Sequence, residues 1–229
     1  SIKIIKRKKN FGLAKNIIEG ISEVFKKEKK IIVLEDDILV AKNFLFFMNQ
    51  SLDYYSKNNK IWHISGWNYN ITCKSQFDAY FTRGMNCWGW ATWRNRWKYF
   101  EKKPLKIIKD WDKKMISEFN FNNSIDHFSR VVRNKQRKIN TWAVFWYAKI
   151  FENEKLCLNP TKSLTQNIGI GKQAKHTFSV SEIYNSKLSN IKIKNFKLPK
   201  ILAEDPYIYD SIQKKSKIGI IKKIVNYIS

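Results

Sequence analysis

Paired cysteines, long apolar runs and negative charge are what this chain has least of. Its three cysteines, Cys73, Cys87 and Cys157, are odd in number and show no C-x-x-C spacing. That argues against a disulfide framework and against a zinc site, and it suits a reducing compartment. No apolar run reaches the length of a membrane span, and no signal peptide is recognisable. The chain does not begin with Met and opens at once on a strand-like Ile2-Lys3-Ile4-Ile5, as a chain joined partway through would. Acids are scarce: 19 Asp plus Glu stand against 44 Lys plus Arg, a formal charge of +25. Such an excess implies an anionic partner, whether nucleic acid, an anionic membrane or a phosphorylated substrate. Most of it is Lys beside abundant Asn and Ile, a bias that an AT-rich genome also produces, so the charge alone selects none of the three.

What is present is material for a core. The 229 residues are 43% apolar and 15% aromatic, enough for one large domain or a domain with appended segments, and global disorder is excluded. The few acids are also concentrated. Ile31-Ile32-Val33-Leu34 reads as a strand buried on both faces, and it runs straight into Glu35-Asp36-Asp37. Three adjacent carboxylates at the edge of a core repel one another unless a cation sits among them, and Mg²⁺ or Mn²⁺ is the hard-ligand match. Taken alone, the triplet reads equally well as an acidic turn capping the next helix.

The surroundings favour the metal. Ile2 to Lys6 is predicted as a short strand, then Ala14, Ile17, Ile18, Ile21, Val24 and Phe25 recur at helical spacing. After the triplet, Phe44, Phe47, Met48, Ser51, Leu52 and Tyr55 mark one face of a second helix, and Ile61 to Gly66 reads as another strand. Alternating strands and helices predict an α/β sheet, whose ligands gather at the carboxyl ends of the strands, where the triplet lies.

Downstream, Trp90, Trp93 and Trp97 are spaced i, i+3, i+7 and predict one face of a helix, mostly core. Trp88 and Trp90 are the candidates to line a groove for a sugar ring, because indole faces suit the C–H face of a pyranose. Residues 101–140 are basic and predicted helical, with Asp110, Trp111 and Asp112 near the start; Thr141 to Tyr147 reads as core, and Leu156 to Pro160 as a strand ending in a turn. The loop from Gln166 to His176 carries Gly169, Gly171, Lys172, Lys175 and His176, a set that suits folding over an anion and equally suits plain solvation. Residues 186–229 form a basic extension after a domain at 1–185. Within it, Ile218, Ile221, Val225 and Ile228 share one helical side among lysines, which suits packing on the domain or lying on an anionic membrane.

Together, Asn10-Phe11-Gly12-Leu13-Ala14, Val33-Leu34-Glu35-Asp36-Asp37 and Phe44-Leu45-x-Phe47-Met48-Asn49 resemble nucleotide-sugar glycosyltransferases of the GT-A fold. Cys87-Trp88-Gly89-Trp90-Ala91-Thr92-Trp93 and Asn167-Ile168-Gly169 resemble bacterial members that build surface polysaccharide or lipooligosaccharide, and the triplet is similar to that of N-acetylglucosaminyltransferase I. The resemblance implies a mixed, Rossmann-like sheet flanked by helices, lacking its first strand-helix unit. It implies Mn²⁺ or Mg²⁺ on Asp37, bridging the diphosphate of a nucleoside-diphosphate sugar, with Glu35 and Asp36 facing the ribose or metal-bound waters. Lys172, Lys175 and His176 then close on the diphosphate, His176 as a second metal ligand. It further implies a glycan or lipid-linked acceptor and a cytoplasmic setting, peripheral to the inner membrane. An inverting enzyme also needs a carboxylate base; Asp110 and Asp112 are the candidates, with Asp78 an outsider. The alternatives are a single-stranded nucleic-acid-binding module, disfavoured because the acid triplet would repel a phosphate backbone unless metal-bound, and a metal-dependent nucleotidyl or phosphoryl transferase.

Overall fold

The computed structural model describes residues 2–169, 182–189 and 195–228, the side chains of 218–228 excepted. The helical spacing after Phe11 becomes α1 (Gly12–Val24), which turns Ala14 and Ile21 inward. β1 (Lys30–Val33) and β2 (Ile38–Val40) flank the acidic triplet. α2 (Phe44–Tyr54) buries Phe44, Phe47, Met48, Ser51 and Leu52, the face that its sequence marks. β3 (Ile61–Ser65) is buried throughout, as are β4 (Ala79–Thr82) and β5 (Trp90–Trp93). α3 (Arg94–Trp97), α4 (Pro104–Asp110), α5 (Lys113–Phe119) and α6 (Phe128–Lys135) follow, then α7 (Ala143–Glu152). β6 (Leu156–Pro160) and β7 (Thr165–Asn167) precede a 3₁₀ turn at Glu182–Tyr184 and the terminal helix α8 (Pro206–Ile228).

The main sheet runs β1-β5-β3-β6-β4 and the small one pairs β2 with β7. β3 and β6 are parallel, and the other pairings are antiparallel. The chain is therefore α/β, with a mixed sheet between helices. Because side chains alternate along a strand, each face of the sheet has its own core. Ala91, Trp93, Ile64, Phe81 and Leu158 pack with α2 on one face. Trp90, Trp62 and Cys157 pack with α1 and α7 on the other. A third cluster joins Trp67, Tyr80, Phe119, Val131 and Phe145 beside it.

Three expectations are corrected here. Ile2 to Lys6 pairs with no strand among the described residues and leaves Ile2 94% and Ile4 87% exposed; strand propensity without a neighbouring strand makes no sheet. β1 is an edge strand, with Lys30 exposed, Ile31 and Ile32 half-buried and Leu34 exposed, because among the described residues only β5 pairs with it. Trp90 and Trp93 lie in β5 rather than on a helix; the helix begins at Arg94, so the i, i+3, i+7 spacing spans two elements. Beyond residue 185, Phe196 and Leu198 enter the α2-side core, while Ile208 and Ile212 enter the third cluster, so these residues of the basic extension pack on the domain. Glu204 reinforces this by accepting from the Arg83 amide at 2.8 Å and pairing with its guanidinium at 3.1 Å. α8 is helical through the predicted basic stretch, but Ile218, Ile221, Val225 and Ile228 have side chains outside the described set. No described helix is long and apolar enough to cross a membrane.

Candidate metal and phosphate site

The triplet forms the turn between β1 and β2, closed by the Ile38 amide donating to the Glu35 carbonyl at 3.3 Å. Pairing of β2 with β7 sets Ile38 opposite Asn167, which carries the chain from residue 167 across the triplet. The Ile168 amide donates to the Asp37 carbonyl (2.9 Å), and Asn167 Nδ2 donates to Asp37 Oδ2 (3.3 Å). Gly169 follows, its own amide held by Asn167 Oδ1 at 2.8 Å. Asp37 is half-buried and forms no ion pair among the described residues. It is therefore neither packed in hydrocarbon nor neutralised by a described lysine. Glu35, also half-buried, has its carboxyl pushed up to about 7, first by lost solvation and then by the charges of Asp37 and Asp36. Asp36 is exposed.

The other wall comes from β5. Its register with β1 matches Val33 to Trp90, so the residues before Trp90 run beside those after Val33. Gly89 makes the entry into β5 possible. Its φ of +72° suits glycine, and a Cβ there would stand 2.7 Å from Thr165 Cγ2 and 3.2 Å from Leu34 Cδ2. Thr165 Oγ1 donates to the Trp88 carbonyl at 2.6 Å, tying the two walls together. The Cys87 thiol is pushed up to about 12, mainly by burial and further by Glu35.

Trp88 and Trp90, both candidates for a sugar-binding surface, part company. Trp88 is half-buried, edge-on to Trp67 at 5.1 Å. Trp90 is 0% exposed, stacked between His63 (5.2 Å) and Trp142 (5.1 Å), and so cannot touch a glycan. Its strand alternation aims it at the α7 side of the sheet. His63 is itself a structural residue. Trp146 Nε1 can only donate, so it places a lone pair on His63 Nδ1 (3.3 Å), and Nε2–H donates to the Asn86 carbonyl (2.9 Å). Desolvation carries the His63 pKa down to about 3 and keeps the ring neutral. Asn86 in turn holds the Trp88 amide at 2.8 Å, which links this buried pair to the site wall.

Neither proposed base is hydrogen-bonded to the triplet among the described residues. Asp112 is the N-cap of α5, accepting from the Met115 amide at 2.7 Å. Asp110 is exposed at the end of α4. Asp78 is occupied by the Lys197 amide at 2.8 Å. Lys172, Lys175 and His176 lie outside the described residues. Among those described, no three His, Cys, Asp or Glu side chains converge as a metal cage. Asn167 and Gly169 are the site residues whose contact with Asp37 sequence reasoning does not reach, since the partners are about 130 positions apart. No protein-family model matches this chain, and no curated protein does so.

Proposed function

We propose that the protein is a metal-dependent glycosyltransferase of GT-A type, moving a sugar from a nucleoside-diphosphate donor to a glycan or lipid-linked acceptor in bacterial surface polysaccharide synthesis. The observation that carries this reading is the carboxylate of Asp37, oriented by Asn167 and without a cationic partner among the described residues, at the carboxyl end of a sheet strand. The donor set fits Mn²⁺ or Mg²⁺. Such ions keep several waters and take one or two carboxylates together with substrate phosphates, so a single oriented Asp with Glu35 nearby is sufficient and a cage is not required. When bound, the ion stabilises charge on the departing diphosphate.

The chain's own residues do the rest. Asp37 supplies the oxygen ligand, and Glu35 and Asp36 stand toward the ribose or the ion's waters. The half-exposed ring of Trp88 offers a face for the acceptor sugar. In the transfer, an acceptor hydroxyl oxygen bonds to the anomeric carbon while the bond from that carbon to the phosphate oxygen breaks, its electron pair leaving with the diphosphate. The hydroxyl proton passes to a carboxylate. Asp110 is the remaining candidate for this, since Asp112 is engaged as a cap. A peripheral position at the cytoplasmic face of the inner membrane suits the charge of +25.

A panel of nucleoside-diphosphate sugars with Mn²⁺, read by mass spectrometry of the products, tests the reading. Sugar transfer that disappears with EDTA and in Asp37→Ala is expected. Normal turnover in Asp37→Ala overturns the metal assignment, and products bearing a nucleotidyl or phosphoryl group replace glycosyl transfer by that chemistry.

A further inference from the structure

The main sheet has two outer edges, and they differ. Along β4 the Asp78 amide donates to the Lys197 carbonyl (2.9 Å) and the Asp205 amide to the Phe81 carbonyl (3.0 Å), so the chain itself closes that edge at both ends. β1 has β5 on one flank and no strand on the other among the described residues. The Arg94 amide donates to the Lys29 carbonyl at 2.9 Å, which fixes the alternation along β1. Ile31 and Val33 bond to β5, while Lys30, Ile32 and the following Leu34 turn their amides and carbonyls to the free side. A row of such main-chain groups is a template for another strand.

The sequence along this edge complements itself. Lys29-Lys30-Ile31-Ile32-Val33-Leu34-Glu35 is basic where it enters, apolar through the middle and acidic where it leaves. An antiparallel copy centred on Ile32 sets Ile32 against Ile32, Lys30 against Leu34 and Lys29 against Glu35. In this register the outward main-chain groups of 30, 32 and 34 meet one another, as an antiparallel ladder requires. It also covers Leu34, which is 44% exposed. Lys29 is exposed and forms no ion pair among the described residues, whereas Glu35 stands beside two further acids, so both gain from the match. Lys30 keeps its own partner, Asp53, at 2.5 Å.

We propose that the protein forms a two-fold dimer in which β1 pairs antiparallel with β1 of a second copy, joining two five-stranded sheets into one of ten strands. The interface is isologous, so it uses the same edge on both chains and closes on two. Lys29 of the second copy then stands beside Glu35, and each acidic turn receives a cation from the other chain while Asp37 stays with Asn167. Pairing of this kind depends on the sheet edge alone and holds whichever transfer the site performs.

Sedimentation velocity over a range of protein concentrations tests it, and a monomer–dimer equilibrium is expected in the native protein. Ile32→Pro deletes an amide that faces away from β5, so the ladder within the sheet stays intact while the dimer weakens about tenfold or more. Lys29→Glu, at an exposed position, sets like charges opposite each other and weakens the dimer as well. Combining it with Glu35→Lys restores the opposite charges and the dimer. Circular dichroism checks that each variant keeps the native fold. Amide exchange followed by NMR should show Ile32 protected where the dimer forms and open on dilution, with Ile31 and Val33 protected throughout. A native protein that stays monomeric overturns the interface, and so does a dimer that survives both Ile32→Pro and Lys29→Glu. Failure of the double variant to recover overturns the register and the proposal with it. Protection of Ile32 that ignores concentration would mean that some other strand lies on this edge, which overturns it too.

Discussion

Gly169 lies so close to Asp37 that no side chain fits between them: a Cβ at 169 would stand 2.4 Å from Asp37 Oδ2 and 2.9 Å from its Cβ. The carboxylate that the proposed chemistry needs is therefore positioned partly by the absence of an atom in a residue far along the chain. Gly169→Ala should push the carboxylate out of place. Mn²⁺ affinity, read by electron paramagnetic resonance titration in the presence of nucleoside diphosphate, should fall about tenfold or more. The melting temperature should move little, because Gly169 is exposed. An unchanged affinity would mean that the carboxylate has another place to go.

Glu35 should behave as a cost to the metal-free fold. Its carboxyl is partly desolvated beside two other acids, so Glu35→Gln removes repulsion while keeping shape and hydrogen-bonding capacity. Solvent screening at a half-exposed group limits the gain to about 1 kcal/mol, or about 2–4 °C in melting temperature for a domain of this size. Calorimetry on the metal-free protein checks the sign. A lower melting temperature in Glu35→Gln would show that the acid serves the fold.

Acid should destabilise the protein through two histidines. His63 and His127 both have folded-state pKa values near 3, lowered first by burial. The unfolded chain protonates them near 6.5, so between about 6.5 and 3 it binds more protons than the fold. Stability then rises with pH across that window and falls as the pH drops through it. Urea unfolding from pH 7 to pH 4 should show this slope. His63→Gln should flatten it, while lowering stability at pH 7 because the fit of His63 between Trp146 and Asn86 is lost.

Two tryptophans two positions apart should give opposite phenotypes. Trp90→Ala empties a site enclosed by His63, Trp97 and Trp142 and should cost about 3–5 kcal/mol, read by denaturant unfolding. Trp88→Ala removes a half-exposed ring and should depress acceptor use with a much smaller loss of stability.

How far the sequence could be read depended on how local the cause was. α2 and β3 were legible because burial of Phe44, Phe47, Met48 and Leu52, or of five consecutive residues, leaves a periodic trace within one segment. The α/β alternation and the acidic turn were legible for the same reason. The edge position of β1 was not, since Ile31-Ile32-Val33 reads alike whether one or both flanks are paired. Trp90 was misplaced because three indoles at helical spacing cross a strand-helix junction. The hold on Asp37 was beyond reach, because Asn167 and Gly169 meet it only through the β2–β7 pairing.

Phe196, Leu198, Ile208 and Ile212 complete the interior from the far end of the polypeptide. A protein cut after residue 185 would lose part of its own filling, and its aromatic side would be opened to water. The lysine-rich terminus is thus continuous with a helix whose Ile208 and Ile212 belong to the interior. A surface that captured that terminus would hold the domain through its own core.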